Sequence, residues 1–248
     1  MVDASLVPPD EMLFDGTGTR EDFIAQGPGF VWNALIARAR LEKHHAVLDI
    51  GSGNGKHARV LAEYLEGGTY SGFDIVKEGV KWCQQAYAKF DWVDFKLAEV
   101  YSDWYNPDCS IQPNEFKFPY SSNAFDVAFG ASLFTHLELD AAENYLRETF
   151  RVLKPGGRLY MTCYLITDQN QGIHAQPVQS EIFKSASENH WLLDASSPSR
   201  GVAFVETWLR KQLTDIGFKT AEISFGTWSN GIDGLGALQD AVLAIKPL

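Results

Sequence analysis

The stretch Val47-Leu48-Asp49-Ile50-Gly51-Ser52-Gly53-Asn54-Gly55-Lys56 is an apolar run that breaks into three glycines spaced two apart. The amphipathic run HARVLAEYLE (57–66) follows directly and stops at Gly67-Gly68. A short buried strand passing through a tight turn into a helix is the opening unit of an open parallel α/β sheet, so this stretch constrains the fold more than any other.

The same rhythm recurs downstream. TYSGFDI (69–75) reads as a second strand ending in an acid, EGVKWCQQAYAKF (78–90) as a helix and FKLAEV (95–100) as a third strand. After a long aromatic loop come a fourth strand, AFDVAFG (124–130), and a helix near Leu139–Leu153. A turn at Lys154-Pro155-Gly156-Gly157 leads into a fifth strand, RLYMTCYLI (158–166). A helix near Ala203–Ile216 and the strands KTAEISFG (219–226) and DAVLAIK (240–246) complete the alternation. Such alternation predicts an α/β fold with helices on both faces of a mostly parallel sheet. Two segments lie outside the rhythm. Residues 1–43 combine a Gly/Pro-containing lead with a helical stretch near Phe30–Arg40, where Val31, Leu35 and Ala39 share a face. Thr167–Gly201, rich in Ser, Gln, His and Asn, reads as an insertion over the sheet edge.

The turn suggests a nucleotide, and its details narrow the choice. A dinucleotide fingerprint needs its third glycine one residue later than Gly55, to let helix and strand pack closely. A phosphate-binding P-loop needs a hydroxyl after its lysine, where this chain has His57, and a leading glycine that is missing. Asp49 before the turn would repel a pyrophosphate but could orient the loop or meet a cation. Asp74, at the end of the second strand, is placed to accept hydrogen bonds from both hydroxyls of a ribose. The pattern points to a ligand with a ribose, a positive charge and no phosphate, although the glycines would also serve a plain strand-to-helix turn. A nicotinamide dehydrogenase is disfavoured by the glycine spacing.

These residues resemble the class I S-adenosylmethionine-dependent methyltransferases. VLDIGSGNGK is similar to their first motif, and GFDI to their second-strand acid. FKFPYSSNAFDVAFG resembles their approach to the fourth strand, and RVLKPGGRLYM their following turn and fifth strand. FTHL (134–137) and the ending LQDAVLAIK are similar to a bacterial small-molecule subgroup of the methyltransferase 11/25 type. The resemblance implies a Rossmann-like sheet of seven strands, the last antiparallel, in a domain over 44–248. Residues 1–43 would then be a helical or lid segment and 167–201 a cap. It implies S-adenosylmethionine as cofactor, with S-adenosylhomocysteine as product. Gly51, Ser52, Gly53 and Gly55 would lie against the methionine and ribose, with Asp74 on the ribose hydroxyls and Ile75 on the adenine. Glu99, within Ala98-Glu99-Val100, would stand near the adenine amino group, and Gly130 and Ala131 would line the methionine end.

Methyl transfer from a sulfonium leaves the enzyme mainly to position the acceptor and remove its proton. His136, just past the fourth strand, suits a general base; a cofactor contact or a helix cap is the alternative. His174 and His190 lie in the insertion, and Tyr101, Trp104, Tyr105, Trp191 and Trp228 could form an aromatic wall. Metal-dependent relatives carry carboxylates beyond the fourth strand. Here that place reads Gly130-Ala131-Ser132, and Asp168 with Asn170 is too little for a cation, so no metal is expected. Phe14, Gly16 and Gly18 would suit a lid, with a disordered N-terminus as the alternative.

Charge separates the acceptor classes. A net charge of −11 and a pI near 5.0 disfavour a nucleic-acid substrate. Three widely spaced cysteines indicate neither a disulfide framework nor a zinc site. No apolar run reaches membrane-spanning length and the N-terminus lacks a signal pattern, so a cytoplasmic protein without a membrane partner is expected. The expected acceptor is a small molecule, most readily a hydroxyl of a sugar or secondary metabolite. N- or C-methylation, and a non-catalytic S-adenosylmethionine-binding protein, are the rival readings. Oligomeric state stays open, a homodimer included.

Overall fold

Ala46–Ile50 forms β1, and all but its first residue are buried, as expected of an apolar strand covered on both faces. A computed structural model describes residues 3–14, 18–168, 183–229 and 238–248. Beside β1 lies β2 (Thr69–Asp74), parallel and in register from Ala46 opposite Thr69 to Ile50 opposite Phe73. Next comes β3 (Val93–Leu97), parallel to β2. On its other side β1 pairs in parallel with β4 (Phe125–Gly130). The third strand therefore ends at Leu97, short of the expected Val100.

Further along are β5 (Leu153–Cys163), β10 (Lys219–Ser224) and β11 (Asp240–Ile245). Among the described residues seven strands form one sheet, ordered β10-β11-β5-β4-β1-β2-β3. β11 runs antiparallel to both β5 and β10, which is the reversed strand the sequence led us to expect. The Lys154–Gly157 turn differs from expectation: it lies within β5, with Gly156 at a left-handed φ of 80°. Gly156 N–H and Gly157 C=O bond Lys246 across the end of β11, which carries the ladder through the turn.

A second, four-stranded sheet joins β6 (Leu165–Ile166), β7 (Lys184–Ser185), β8 (His190–Leu192) and β9 (Val202–Val205), in the order β6-β9-β8-β7. β9 corrects the expected helix near Ala203–Ile216. The run Val-Ala-Phe-Val is strand, and the helix α5 begins only at Glu206 and ends at Ile216. Gly217 closes α5 in the left-handed conformation, with φ 108°.

By its contacts the chain divides into two compact units, residues 1–99 with 125–129, and 100–124 with 130–248. In the first, α1 (Arg20–Phe30) starts at Thr19, whose hydroxyl oxygen accepts from Asp22 N–H at 3.1 Å. Pro28 has no N–H for the Ile24 carbonyl, and the Arg59 guanidinium supplies the bond instead at 2.9 Å. The helix continues as a wider coil over Val31–Ile36, burying Val31, Ala34 and Leu35. α2 (Ala58–Tyr64) and α3 (Lys77–Ala86) follow β1 and β2. In the second unit α4 (Leu139–Val152) buries Ala142, Tyr145, Leu146, Thr149 and Val152, an apolar stripe at helical spacing.

Candidate functional site

In the first unit the glycine turn joins β1 to α2. Gly51, Gly53 and Gly55 have φ of 76°, 53° and 77°, a left-handed backbone that explains why all three lack a side chain. The turn is held from several sides. The N–H groups of Gly51 and Ser52 both donate to the Phe73 carbonyl at 3.0 Å. Tyr87 Oη donates to the Gly55 carbonyl at 2.9 Å. Gly53 N–H donates to Asp74 Oδ2 at 2.8 Å, while Val76 N–H donates to Asp74 Oδ1 at 2.9 Å. Asp74 thus ends β2 nearly buried and tied to the turn. Ile75 follows half-buried, and Glu99, in the segment after β3, is exposed.

Asp49 is fully buried in β1 and accepts from Tyr70 Oη at 2.7 Å. Burial pushes its carboxyl well above the usual range and Asp74 adds to the rise, against the Tyr70 hydrogen bond and the Lys56 charge. His57 Nδ1 stands 4.0 Å from Asp49 Oδ2. Its ring lies 4.6 Å from Phe30 and 5.5 Å from Phe129, and burial, with Lys56 nearby, brings its pKa down to about 3.

Asp49 Oδ1, Ser52 Oγ and Asn54 Oδ1 are buried without a hydrogen-bond partner. Three orphaned polar atoms along one short turn are costly unless something satisfies them. A ligand carrying an ammonium group and ribose hydroxyls would do so, and its charge would favour ionised Asp49. The residues present therefore fit S-adenosylmethionine.

The N-terminal lead packs on this turn. Asn54 Nδ2 donates to the Met12 carbonyl, and the Phe14 ring lies so close to Gly79 that an added Cβ would stand 2.9 Å from it. Gly18 precedes α1, while Gly16 lies outside the described residues.

In the second unit Gly130 ends β4 buried, with Ala131 half-buried after it. Ser132 takes a left-handed φ of 63°, and its N–H donates to Thr162 Oγ1 at 2.7 Å. Gln239 accepts from Thr162 Oγ1 at 2.6 Å and donates to Ser132 Oγ at 2.8 Å, closing a polar ring around the turn. His136 sits in the helical turn Phe134–His136, half-buried, with Nδ1 2.7 Å from the Ser199 carbonyl. A carbonyl can only accept, so Nδ1 carries the proton and Nε2 keeps the lone pair. Burial lowers the His136 pKa, opposed by the Ser199 bond. The Tyr105 ring meets it edge-on, 5.5 Å away.

The remaining candidates scatter. His190 opens β8, with Nδ1 2.8 Å from Ser187 Oγ. Trp228 belongs to a buried cluster with Tyr164, Ile166, Phe183 and Ala203, against which Trp191 packs. Trp104 is exposed under the Arg200 guanidinium, and Tyr101 is half-buried. Asp168 is exposed, and His174 and Asn170 lie outside the described residues. Sequence reasoning missed Thr162, Gln239, Asp103 and Ser199, whose hydrogen-bond partners lie distant in sequence and leave no local pattern.

Residues 48–161 match the family described as a methyltransferase domain. The chain is 24% identical over 149 residues to phosphoethanolamine N-methyltransferase of Plasmodium falciparum, covering 60% of this chain and 50% of that protein. It is 22% identical over 193 residues to a fatty-acid O-methyltransferase of Mycolicibacterium smegmatis, covering 73% and 64%. The chain thus spans about half to under two thirds of the length of these relatives. Among solved structures it resembles 1,6-didemethyltoxoflavin-N1-methyltransferase of Burkholderia thailandensis, solved with 1,6-didemethyltoxoflavin and S-adenosylhomocysteine bound. The TM-score is 0.55 at 18% identity, over 92% of this chain and 82% of that one. The chain thus carries a match to a methyltransferase domain over residues 48–161, and its seven-stranded sheet has the fold of the S-adenosylmethionine-dependent methyltransferase structures it resembles.

Proposed function

We propose that the protein methylates a hydroxyl of a small molecule, a sugar or secondary metabolite, with His136 as general base. The cofactor supplies a methyl group already activated on a sulfonium. Gly51, Ser52, Gly53 and Gly55 hold its methionine and ribose portions, and Asp49 and Asp74 offer carboxylates to its ammonium and ribose. Ile75 packs on its adenine and Glu99 faces the adenine amino group. Gly130 and Ala131 line its methionine end. Residues 1–43 serve as a lid, a reading supported by the hold of Asn54 on the Met12 carbonyl. Residues 167–201 serve as a cap.

One observation carries the choice of acceptor: Nδ1 of His136 is committed to the Ser199 carbonyl, so a neutral ring offers its basic Nε2. A carboxylic acid is ionised at neutral pH and needs no base, whereas an alcohol must lose its proton as the methyl group arrives. A base held in one tautomer therefore favours the hydroxyl. The test is release of S-adenosylhomocysteine with panels of hydroxylated, carboxylic and amino compounds. Turnover of hydroxyl acceptors that falls about a hundredfold or more in His136→Gln is expected. Turnover confined to carboxylates or amines and indifferent to His136→Gln would overturn the reading.

A further inference from the structure

We infer that Asp103 is a positioning residue for His136, acting by holding the backbone of Ser199 in place. This rests on the reading of His136 as the base. The link is two hydrogen bonds through one residue. Ser199 N–H donates to Asp103 Oδ1 at 3.2 Å, and the Ser199 carbonyl accepts from His136 Nδ1 at 2.7 Å.

Each partner is held where it is. Asp103 sits at the tip of a turn closed by reciprocal Ser102–Asn106 backbone bonds of 3.0 and 3.2 Å, with Ser102 Oγ accepting from the N–H groups of Trp104 and Tyr105. Ser199 lies in the helical turn Pro198–Arg200, where Arg200 N–H bonds the Ser197 carbonyl at 3.0 Å. A second clasp joins the same two turns: the Arg200 guanidinium lies 5.0 Å over the Trp104 ring and 3.3 Å from Asp194. Tyr105, from the Asp103 turn, packs against the His136 ring at 5.5 Å with the two planes nearly perpendicular.

The charged and titratable groups around this network are Asp103 and Tyr105 on one turn, Arg200 with Asp194 on the other, and Glu138 with His190 beyond. Partial burial works to raise the Asp103 carboxyl, but hydrogen bonds from Ser197 and Ser199 outweigh it and hold it below the usual range. An ionised carboxylate makes a charge-assisted bond to the Ser199 N–H and so holds the backbone of that residue, its carbonyl included, in place against Nδ1. A carbonyl held against Nδ1 fixes the proton there and keeps Nε2 basic. The arrangement is a carboxylate orienting a histidine through the backbone of one intervening residue.

Nitrogen-15 NMR of the histidine rings tests this without an acceptor, with the His136 signals assigned by their loss in His136→Gln. The wild type should show a protonated Nδ1 and an unprotonated Nε2, as two well-separated resonances. In Asp103→Ala the pair should move toward a common average as the second tautomer is populated. Asp103→Asn, which keeps an oxygen for the Ser199 N–H, should restore much of the separation. Asp103→Ser, too short to reach, is the second variant should Asp103→Ala fold poorly. Unchanged ring-nitrogen shifts in folded Asp103→Ala or Asp103→Ser, or a wild-type ring protonated at Nε2, would overturn the inference. The base reading fails on a separate measurement, turnover that survives His136→Gln.

Discussion

Gly53 N–H donates to Asp74 Oδ2 at 2.8 Å, so the acid that ends β2 also fixes the glycine turn that ends β1. One carboxylate therefore serves both the shape of the turn and, in our proposal, the ribose of the cofactor. Hydrogen bonds to a charged group contribute about 1.5–3 kcal/mol each, and about 1.4 kcal/mol is tenfold in affinity. Asp74→Ala is accordingly expected to weaken S-adenosylhomocysteine binding about tenfold to a hundredfold or more, measured by calorimetry. Affinity within twofold of the wild type would remove Asp74 from the site.

Two glycines share a backbone conformation but not a setting, and this separates strain from packing. Gly55 has φ 77°, and an added Cβ would stand 3.1 Å from the Tyr87 ring and hydroxyl and 3.3 Å from Cys83 Sγ. Gly67 has φ 78° with nothing within 4 Å. A left-handed L-residue costs about 1–2 kcal/mol, which is all that Gly67→Ala should lose in urea unfolding. Gly55→Ala must also displace an enclosed Tyr87, for a total of about 3–4 kcal/mol. Equal losses would mean that the turn has room for a side chain.

The turn and Asp74 were legible because strand, glycine spacing and strand-end acid lie on a repeating local pattern. Val202–Val205 was not: a short apolar run before a helix reads as the first turn of that helix until a neighbouring strand claims it. In the structure β8 does so, pairing with β9 across Leu192–Val202. The His136 surroundings were half legible. The residue followed from its place after β4, but its partner Ser199 and the Asp103 behind it come from short irregular turns, where no periodicity says which carbonyl will meet which ring. Asp49 was legible as an acid before the turn, yet its full burial against Tyr70 depends on the sheet register.

His57 gives the first unit an acid sensitivity with a defined sign. Its pKa falls from 6.5 to about 3 in the folded protein, so between these values the unfolded chain holds the extra proton. Its contribution is complete above pH 6.5 and is lost as pH falls toward 3, with a slope of up to about 1.4 kcal/mol per pH unit. Asp49 works the other way: its raised carboxyl keeps a proton that the unfolded chain releases above 3.8. Its contribution therefore declines as pH rises through that window. In urea unfolding over a pH series, His57→Phe should flatten the acid loss and Asp49→Asn should steepen it. Both variants tracking the wild type would show that neither group titrates on unfolding in this range.

Asp240 is fully buried at the head of β11 and, among the described residues, accepts hydrogen bonds from Leu165 N–H at 2.7 Å, Gly226 N–H at 2.7 Å and Trp228 Nε1–H at 2.6 Å. It gathers the strand after β5, the loop after β10 and the buried tryptophan onto one carboxylate. An amide cannot replace it, because Asn would turn a donor toward at least one of three N–H groups that have no water to turn to. Each orphaned donor costs about 1–3 kcal/mol, so Asp240→Asn should lose about 3–5 kcal/mol. Trp228→Phe removes one donor and keeps most of the ring, and should lose only about 1–2 kcal/mol. Thermal unfolding of the two variants checks the ordering. If Trp228→Phe proved the more damaging, the aromatic cluster with Tyr164 and Phe183, rather than the carboxylate, would hold this end of the second unit together.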